Sequence, residues 1–275
     1  MHKTRIFTGL ALSALALLVI LGLSNTLFAA FSLVVILFGA SEWAVLTGLR
    51  GVIGQGTYVC VIALFSWLAW SSVAAGWDWL PLAVGGLWWA AVAVLLALWQ
   101  SRWSSDVRLH WGLRIAGLPT LVPAWIALVL IHRYDSRLLI FLIVLAAVGD
   151  TAAYFTGKRF GRRHMAPQLS PGKTWEGLMG ELLAAFIASL IGASLFFGDS
   201  SSGMRIGFVL LAMLTVFASV CGDLFESLLK RVAGAKDSGH LLPGHGGVLD
   251  RMDSHLAAAP IFLIGLTWLL GGNVG

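Results

Sequence analysis

The sequence carries very little charge for its length: only 11% of its 275 residues are Asp, Glu, Lys or Arg. A soluble domain has about 25% charged residues, because its surface must face water. Hydrophobic residues make up 59% of the chain, and this composition also excludes a disordered protein. The shortage of charge therefore indicates a protein that is embedded in lipid.

Cysteine is nearly absent as well. Cys60 and Cys221 both lie inside apolar runs, where two thiols form neither a disulfide framework nor a zinc site, and we expect both to be buried. No run rich in Ser, Pro or Gly divides the chain into separate units. We therefore expect a single polytopic membrane domain over residues 1–275.

Long apolar runs are abundant, and nine of them approach the roughly 20 residues that a helix needs to cross a bilayer. They cover residues 6–23, 26–48, 57–75, 79–99, 113–132, 137–157, 176–198, 204–229 and 254–271. The first run is too long for the core of a signal peptide and lacks a clear cleavage site, so we expect a retained span. The pattern predicts an all-α integral membrane protein with about nine transmembrane helices.

The positive charges favour one orientation of these helices. With a cytoplasmic N-terminus, all but three of the 18 Lys and Arg residues lie in cytoplasmic segments, in agreement with the positive-inside rule. The exceptions are Arg133, Arg137 and Arg205. The bias predicts an external C-terminus and explains the net charge of +5 by contact with anionic membrane lipids, without nucleic acid.

Ionisable residues at membrane depth are costly and usually functional, and most of them lie in the second half of this chain. Spans one to five contain almost no ionisable side chain except Glu42. We expect residues 1–136 to be scaffold helices and residues 137–275 to carry the chemistry. The cytoplasmic loops of that second half are predicted at 158–175 and 230–253.

The end of the eighth span is the first candidate for a site. Asp223 lies 18 residues after Arg205, which is about 27 Å along a helix and places it just inside the cytoplasmic boundary. Ser227 and Lys230 follow on the same helical face. This face is placed to meet both a lipid headgroup and a soluble anion.

The loop that follows combines cations with carboxylates. The cations are Lys230, Arg231, Lys236 and Arg251. Asp250 and Asp253, together with Asp223, supply hard oxygen ligands of the kind that Mg²⁺ prefers beside phosphate. This combination predicts a phosphoryl-transfer site, although Asp253 alone is equally consistent with the N-cap of the ninth helix, and Lys230 and Arg231 with ordinary membrane anchors.

The same loop is rich in glycine, which lets backbone N–H groups come close to an anion. Gly246 and Gly247 follow His245, and we expect this histidine to donate a hydrogen bond to phosphate rather than bind zinc, because no matching ligand spacing is present.

A second polar patch surrounds the end of the sixth span. Asp150 and Tyr154 lie one helical turn apart, and Asp150 is expected below the lipid headgroups. Residues 172–174 do not form a P-loop, because Pro167 stands where that motif needs glycine and no strand is expected before them. Residues 174–177 instead predict the start of the seventh helix, whose N-terminal amides attract phosphate.

Residues 227–253 resemble the sequence signature of the phosphatidate cytidylyltransferases, also called CDP-diacylglycerol synthases. The matching positions are Ser227-x-Leu229-Lys230-Arg231-x4-Lys236-Asp237-x-Gly239-x2-Leu242-Pro243-x-His245-Gly246-Gly247-Val248-x-Asp250-Arg251-Met252-Asp253. Residues 150–157 and 170–177 also resemble this family, although Gly172 replaces the lysine that is more usual there. The resemblance is specific over about 150–253 and general before that.

The resemblance implies transfer of a cytidylyl group from CTP to phosphatidic acid at the inner face of the bacterial cytoplasmic membrane. It implies Mg²⁺ as cofactor, K⁺ as a candidate second cation, and a homodimer. It places the metal ligands at Asp223 and Asp250, with Asp150 and Asp253 as further candidates. The other catalytic candidates are Lys230, Lys236 and Arg251, and the candidate substrate-binding residues are Tyr154, Lys173, Ser227, Arg231, His245, Gly246 and Gly247.

Three other functions use similar residues. A transporter predicts charges near the middle of the membrane and a pattern repeated in the two halves, which this sequence lacks. A CDP-alcohol phosphotransferase needs a D-G-x2-A-R pattern, and neither Asp150 nor Asp223 begins one. A CTP-dependent lipid kinase is the nearest rival, and it differs in which phosphate of CTP enters the lipid.

Overall fold

The structure is a computed structural model that describes residues 2–98, 107–241 and 246–271. Nine helices and one hairpin lie in these residues. The helices are α1 (His2–Gly22), α2 (Asn25–Leu46), α3 (Val52–Ala74), α4 (Trp79–Leu98), α5 (Val107–Tyr134), α6 (Ser136–Phe160), α7 (Trp175–Phe197), α8 (Ser202–Val232) and α9 (Leu249–Leu269). The antiparallel strands β1 (His164–Ala166) and β2 (Ser170–Thr174) connect α6 to α7.

The helices confirm the prediction of an all-α membrane protein. In the described ranges eight helices, α2 to α9, contain segments long and apolar enough to cross a membrane. The apolar part of α1, Ser13–Gly22, is shorter, so its role as a span stays a prediction. Cys221 is buried as expected, but Cys60 is exposed on α3; the prediction for Cys60 is wrong because a small apolar side chain that faces lipid gains little from burial.

The helix α5 lies at the centre of the first half. Residues 121–131 of this helix are all buried. Two side chains from neighbouring helices donate hydrogen bonds to carbonyls in the turn before its first proline: Trp43 Nε1 to the Leu113 oxygen and Tyr58 Oη to the Arg114 oxygen, both at 2.8 Å. A Cβ on Gly117 would collide with the Tyr58 hydroxyl and lie 3.0 Å from Trp43 Nε1, so the absence of a side chain there lets both donors reach the backbone of α5.

The helices α8 and α9 cross closely at Gly222 in the second half. A Cβ atom at this position would collide with the Asp253 carbonyl oxygen and would lie 3.1 Å from the Ala257 Cβ. The absence of a side chain lets the two backbones meet. The crossing therefore brings Asp223 on α8 next to Asp253 on α9.

Two predicted boundaries differ from the structure. The helix α9 begins at Leu249 rather than at 254, so Asp253 lies within the helix and is not its N-cap. The predicted loop 158–175 contains the hairpin, and the expectation of no strand before α7 is wrong. Strand β2 carries Pro and Gly and lacks the apolar alternation that signals a strand; its pairing with β1 across the hairpin holds it in place.

We predict that Gly222→Ala separates α8 and α9 and lowers the free energy of unfolding by about 1–3 kcal/mol, the usual cost of overpacking. The measurement is the thermal unfolding midpoint of the protein purified in detergent. Gly56→Ala is the matched control, because a Cβ on this residue of α3 meets nothing within 4 Å. Equal midpoints for the two variants would contradict the close crossing.

Candidate active site

Three carboxylates from α8 and α9 converge next to the Gly222 crossing. Oxygen atoms of Asp223, Glu226 and Asp253 all lie within 4.8 Å of one another. Glu226 is only 1% exposed, and its Oε1 atom has no hydrogen-bond partner among the described residues. A buried oxygen that lacks a donor, next to two further carboxylates, is a hard ligand set of the kind that a divalent cation binds. The cluster of these three residues therefore fits Mg²⁺.

The side chain of Lys230 joins this cluster to Asp250. Its ammonium group forms an ion pair with Glu226, one helical turn earlier, and a second with Asp250 Oδ1 at 2.8 Å. Glu226 is not among the site residues that the sequence predicts. In the structure it is the most deeply buried acidic group of the site and belongs to the candidate ligands.

A second lysine comes from the hairpin. Lys173 on β2 forms an ion pair with Asp223, with 2.5 Å between Nζ and Oδ2. Burial of Lys173 works against its charged form, but the carboxylates of Asp223, Glu181 and Asp150 outweigh it and raise the pKa of Lys173 above its ordinary value. This side chain is therefore an ammonium group at neutral pH, fixed beside the carboxylate cluster.

Both oxygens of Asp250 already have partners. Oδ1 pairs with Lys230, and Oδ2 accepts hydrogen bonds from the Ser238 N–H at 2.9 Å, the Ser238 hydroxyl at 2.9 Å and the Gly247 N–H at 2.8 Å. Asp250 thus fastens the loop between α8 and α9. Its role as a metal ligand stays a prediction, because the carboxylates that the structure groups with Asp223 are Glu226 and Asp253.

The fold itself requires glycine at position 246, one of the two predicted phosphate-binding glycines, Gly246 and Gly247. Gly246 has a φ of 80°, which an L side chain rarely adopts, and a Cβ there would lie 2.6 Å from Asp250 Oδ2. The N–H of Gly247 is used by Asp250. Phosphate binding by these two residues stays a prediction, and His245 lies outside the described residues.

The remaining predicted residues surround the cluster. Thr174 caps α7 by accepting a hydrogen bond from the Gly177 N–H at 3.1 Å, which confirms the predicted start of that helix. Arg231 Nε donates to the Leu169 oxygen at 3.0 Å and so ties α8 to the hairpin. Ser227 is buried in α8.

Three candidates lie further out. Tyr154 is 61% exposed on α6, and Lys236 is exposed in the loop. Arg251 lines an apolar groove of about 610 Å³ that is formed with α1, α2 and α6. Arg251 stands two residues before Asp253, so its Cα–Cβ bond points about 200° around α9 from that of Asp253. The catalytic roles of Lys236 and Arg251 and the binding role of Tyr154 stay predictions.

Glu42, in the half of the chain that is predicted to be scaffold, contacts the start of α9 beside this site. The carboxylate of Glu42 on α2 accepts hydrogen bonds from the backbone N–H groups of Val248 and Leu249. The signal for this residue was present in the sequence, since an isolated ionisable group at membrane depth indicates a function. Its partners, however, lie 206 and 207 positions away and could not be inferred from the pattern.

A family comparison agrees with this site. A sequence model of the cytidylyltransferase family matches residues 3–269. The chain belongs to this family. The resemblance on residues 227–253 is thereby confirmed, and the match extends across the first half, where the sequence alone gave only a general likeness.

Individual members of the family are similar over much of the chain. A phosphatidate cytidylyltransferase of Pseudomonas aeruginosa is 40% identical over 98% of each chain. The enzyme of that name from Haemophilus influenzae is 38% identical over 66% of each chain. One from Mycobacterium leprae is 36% identical over 57% of this chain and 51% of its own.

We predict that Lys230→Met destabilises the protein by about 3 kcal/mol, because it leaves the buried Glu226 carboxylate without its countercharge. The second change Glu226→Gln removes the unpaired charge and is expected to restore most of the lost stability. Thermal unfolding midpoints of the single and double variants provide the measurement.

Lys236→Met is the matched control for loss of a lysine, since Lys236 is exposed and such surface changes cost about 0.5 kcal/mol or less. A double variant that is no more stable than Lys230→Met would refute the proposed pairing of Lys230 with Glu226.

Proposed function

We propose that this protein transfers the cytidylyl group of CTP to phosphatidic acid, producing CDP-diacylglycerol and pyrophosphate. The relatives named phosphatidate cytidylyltransferase support this substrate pair. The observation that carries the proposal is that two lysine ammonium groups, those of Lys173 and Lys230, pair with different members of the carboxylate cluster. A lipid phosphate and a triphosphate need cations, and a divalent ion between them needs carboxylates.

The reaction requires no strong base from the protein. The second pKa of a phosphate monoester is about 6, so the phosphatidate oxygen is already a nucleophile near neutral pH. It attacks the α-phosphorus of CTP, a new P–O–P bond forms, and the bond to the β-phosphate oxygen breaks as pyrophosphate leaves. Lys173 and Lys230 neutralise the charge that develops, and positioning with electrostatic stabilisation supplies the rate.

The carboxylates that would hold Mg²⁺ are those of Asp223, Glu226 and Asp253, with Asp250 as the further candidate. When bound, the ion neutralises phosphate oxygens and orients the triphosphate. The protein's own part is to keep these oxygens together at the α8–α9 crossing. K⁺ as a second cation and assembly as a homodimer remain expectations of the family resemblance.

The site is proposed to face the cytoplasm of a bacterial cell, in the cytoplasmic membrane. The hairpin lies beside the C-terminal end of α8, where the α8–α9 loop begins, since Lys173 pairs with Asp223 and Arg231 donates to the Leu169 oxygen. Both segments carry clusters of Lys and Arg, which favour the cytoplasmic side. CTP enters from this side, and phosphatidic acid enters from the inner leaflet.

We predict that label from CTP marked at the α-phosphate enters lipid when the purified protein is given phosphatidic acid and Mg²⁺ in detergent. Label at the γ-phosphate is expected to leave in pyrophosphate. Thin-layer chromatography of the lipid extract shows which of the two labels has entered lipid. Transfer of γ-label to lipid would replace the proposal with a lipid kinase.

We predict that Asp223→Asn abolishes turnover and leaves the protein folded, because it removes a cation ligand from the cluster. Glu226→Gln and Asp253→Asn are expected to raise the Mg²⁺ concentration for half-maximal activity at least tenfold. Asp250→Asn is also expected to abolish turnover. Activity titrated with Mg²⁺ and gel filtration in detergent measure these effects, and near-normal activity of Asp223→Asn would remove the metal assignment.

A further inference from the structure

The N-terminus of α9 is capped by a side chain from a different helix. Glu42 Oε1 accepts a hydrogen bond from the Val248 N–H, and Oε2 accepts one from the Leu249 N–H, both at 2.9 Å. The first N–H groups of a helix lack partners within the helix. Val248, at the N-cap position, makes no side-chain bond to them. The Glu42 side chain, which comes from α2, therefore caps α9 in place of the local Ser or Asp side chain that usually does so.

The same carboxylate lies against the other end of the loop. The Ser238 hydroxyl is 3.1 Å from Glu42 Oε2 and 2.9 Å from Asp250 Oδ2. Because a hydroxyl has one proton, it donates to one of these carboxylates at a time. Ser238 and Glu42 are both buried. Glu42 thus holds residues 238 and 248–249 at one point, although nine residues separate the two loop ends.

Two glycines of the loop pack directly on this carboxyl group. A Cβ on Gly239 would collide with Glu42 Oε1 and lie 2.9 Å from its Cδ, and all three of its nearest atoms belong to Glu42. A Cβ on Gly247 would lie 2.5 and 2.6 Å from the two Glu42 oxygens. The backbone comes so close to Glu42 at these positions that only glycine fits.

The position of the loop decides the position of a site lysine. The backbone N–H groups of Ser238 and Gly247 donate hydrogen bonds to Asp250 Oδ2, and the other oxygen of Asp250 pairs with Lys230. Lys230 in turn contacts Glu226 of the carboxylate cluster. A continuous series of contacts therefore connects Glu42 to the candidate active site.

We propose that Glu42 is a positioning residue for the transfer reaction: by capping α9 and pinning the α8–α9 loop, it sets Asp250 and, through it, the Lys230 ammonium group. The inference rests on the proposed function. It assigns a role in catalysis to α2, in the half of the chain that sequence analysis treated as scaffold.

Glu42→Gln is the sharpest substitution, because it keeps the size of the side chain. An amide has one oxygen and an NH₂ group that cannot accept a hydrogen bond, so one of the two N–H groups of α9 loses its partner. We expect kcat to fall by about 10- to 100-fold, the range that follows from a misplacement of about 1 Å. The KM values for CTP and phosphatidic acid are expected to change less than threefold.

Asp135→Asn is the matched control. Asp135 also presents a carboxylate at a helix start, where it accepts a hydrogen bond from the Arg137 N–H of α6, and it has no contact with the site. We expect this variant to keep the wild-type kcat. Both variants are expected to remain monodisperse in detergent at the assay temperature. A wild-type kcat for Glu42→Gln, or an equal loss of kcat in both variants, overturns the proposal.

A double-mutant cycle tests the contact itself. Gly239→Ala is expected to lower kcat at least tenfold in the wild-type background, because its methyl group meets the Glu42 carboxyl. In the Glu42→Ala background this obstacle is gone, and the further effect of Gly239→Ala is expected to be less than twofold. An equal effect of Gly239→Ala in both backgrounds overturns the proposal.

Hydrogen exchange separates this inference from the proposed function. The Val248 and Leu249 amides are expected to exchange at least tenfold faster in Glu42→Gln, with the hairpin unchanged. Unchanged exchange at these two amides overturns the capping contact, even if the wild-type protein shows no activity with CTP and phosphatidic acid. A wild-type protein that lacks this activity but shows the faster exchange refutes the proposed function and leaves the cap established.

Discussion

The site depends on neutralising carboxylates that lie where neither water nor lipid can solvate them. A buried charge without a partner costs several kcal/mol, and Glu226, Asp250 and Glu42 are all buried or partly buried. Lys230 forms ion pairs with Glu226 and Asp250. Backbone N–H groups donate hydrogen bonds to Asp250 and to Glu42. The arrangement of the loop and of α9 follows from this need for partners.

The neutralisation is incomplete at the candidate metal site. Three carboxylates stand within 4.8 Å of one another, and the one at Glu226 keeps an oxygen without a donor. Lys173 and Lys230 compensate only part of the charge. A protein that needed the cluster only for stability would gain from removing it, since apolar side chains of similar volume are often more stable in such positions. The remaining negative charge is what the proposed function requires of a cation site.

The sequence predicted the features that depend on local pattern. Apolar length gave the helices, helical spacing placed Asp223 and Lys230 on one face, and Thr174 with Gly177 indicated the start of α7. The charge pattern also identified the loop after α8 as the densest polar segment.

Features that depend on contacts between distant segments were not predictable in the same way. The start of α9 was set five residues too late, because its cap comes from Glu42 on α2. Glu226 is not among the predicted site residues, because spacing along α8 does not show which residues of α9 will lie beside it. Phosphate binding by the loop glycines stays a prediction, and spacing could not show that Gly239 and Gly247 also pack on a carboxyl group from another helix.

The location of a bound divalent ion tests the central claim most directly. Mn²⁺ can replace Mg²⁺ and has measurable anomalous scattering, so its position in crystals grown with CTP can be determined without reference to activity. The account predicts one strong peak at coordination distance, about 2.0–2.3 Å, from carboxylate oxygens of Asp223 and of Glu226 or Asp253. A peak bound only by Asp250, or no peak between α8 and α9, would contradict it.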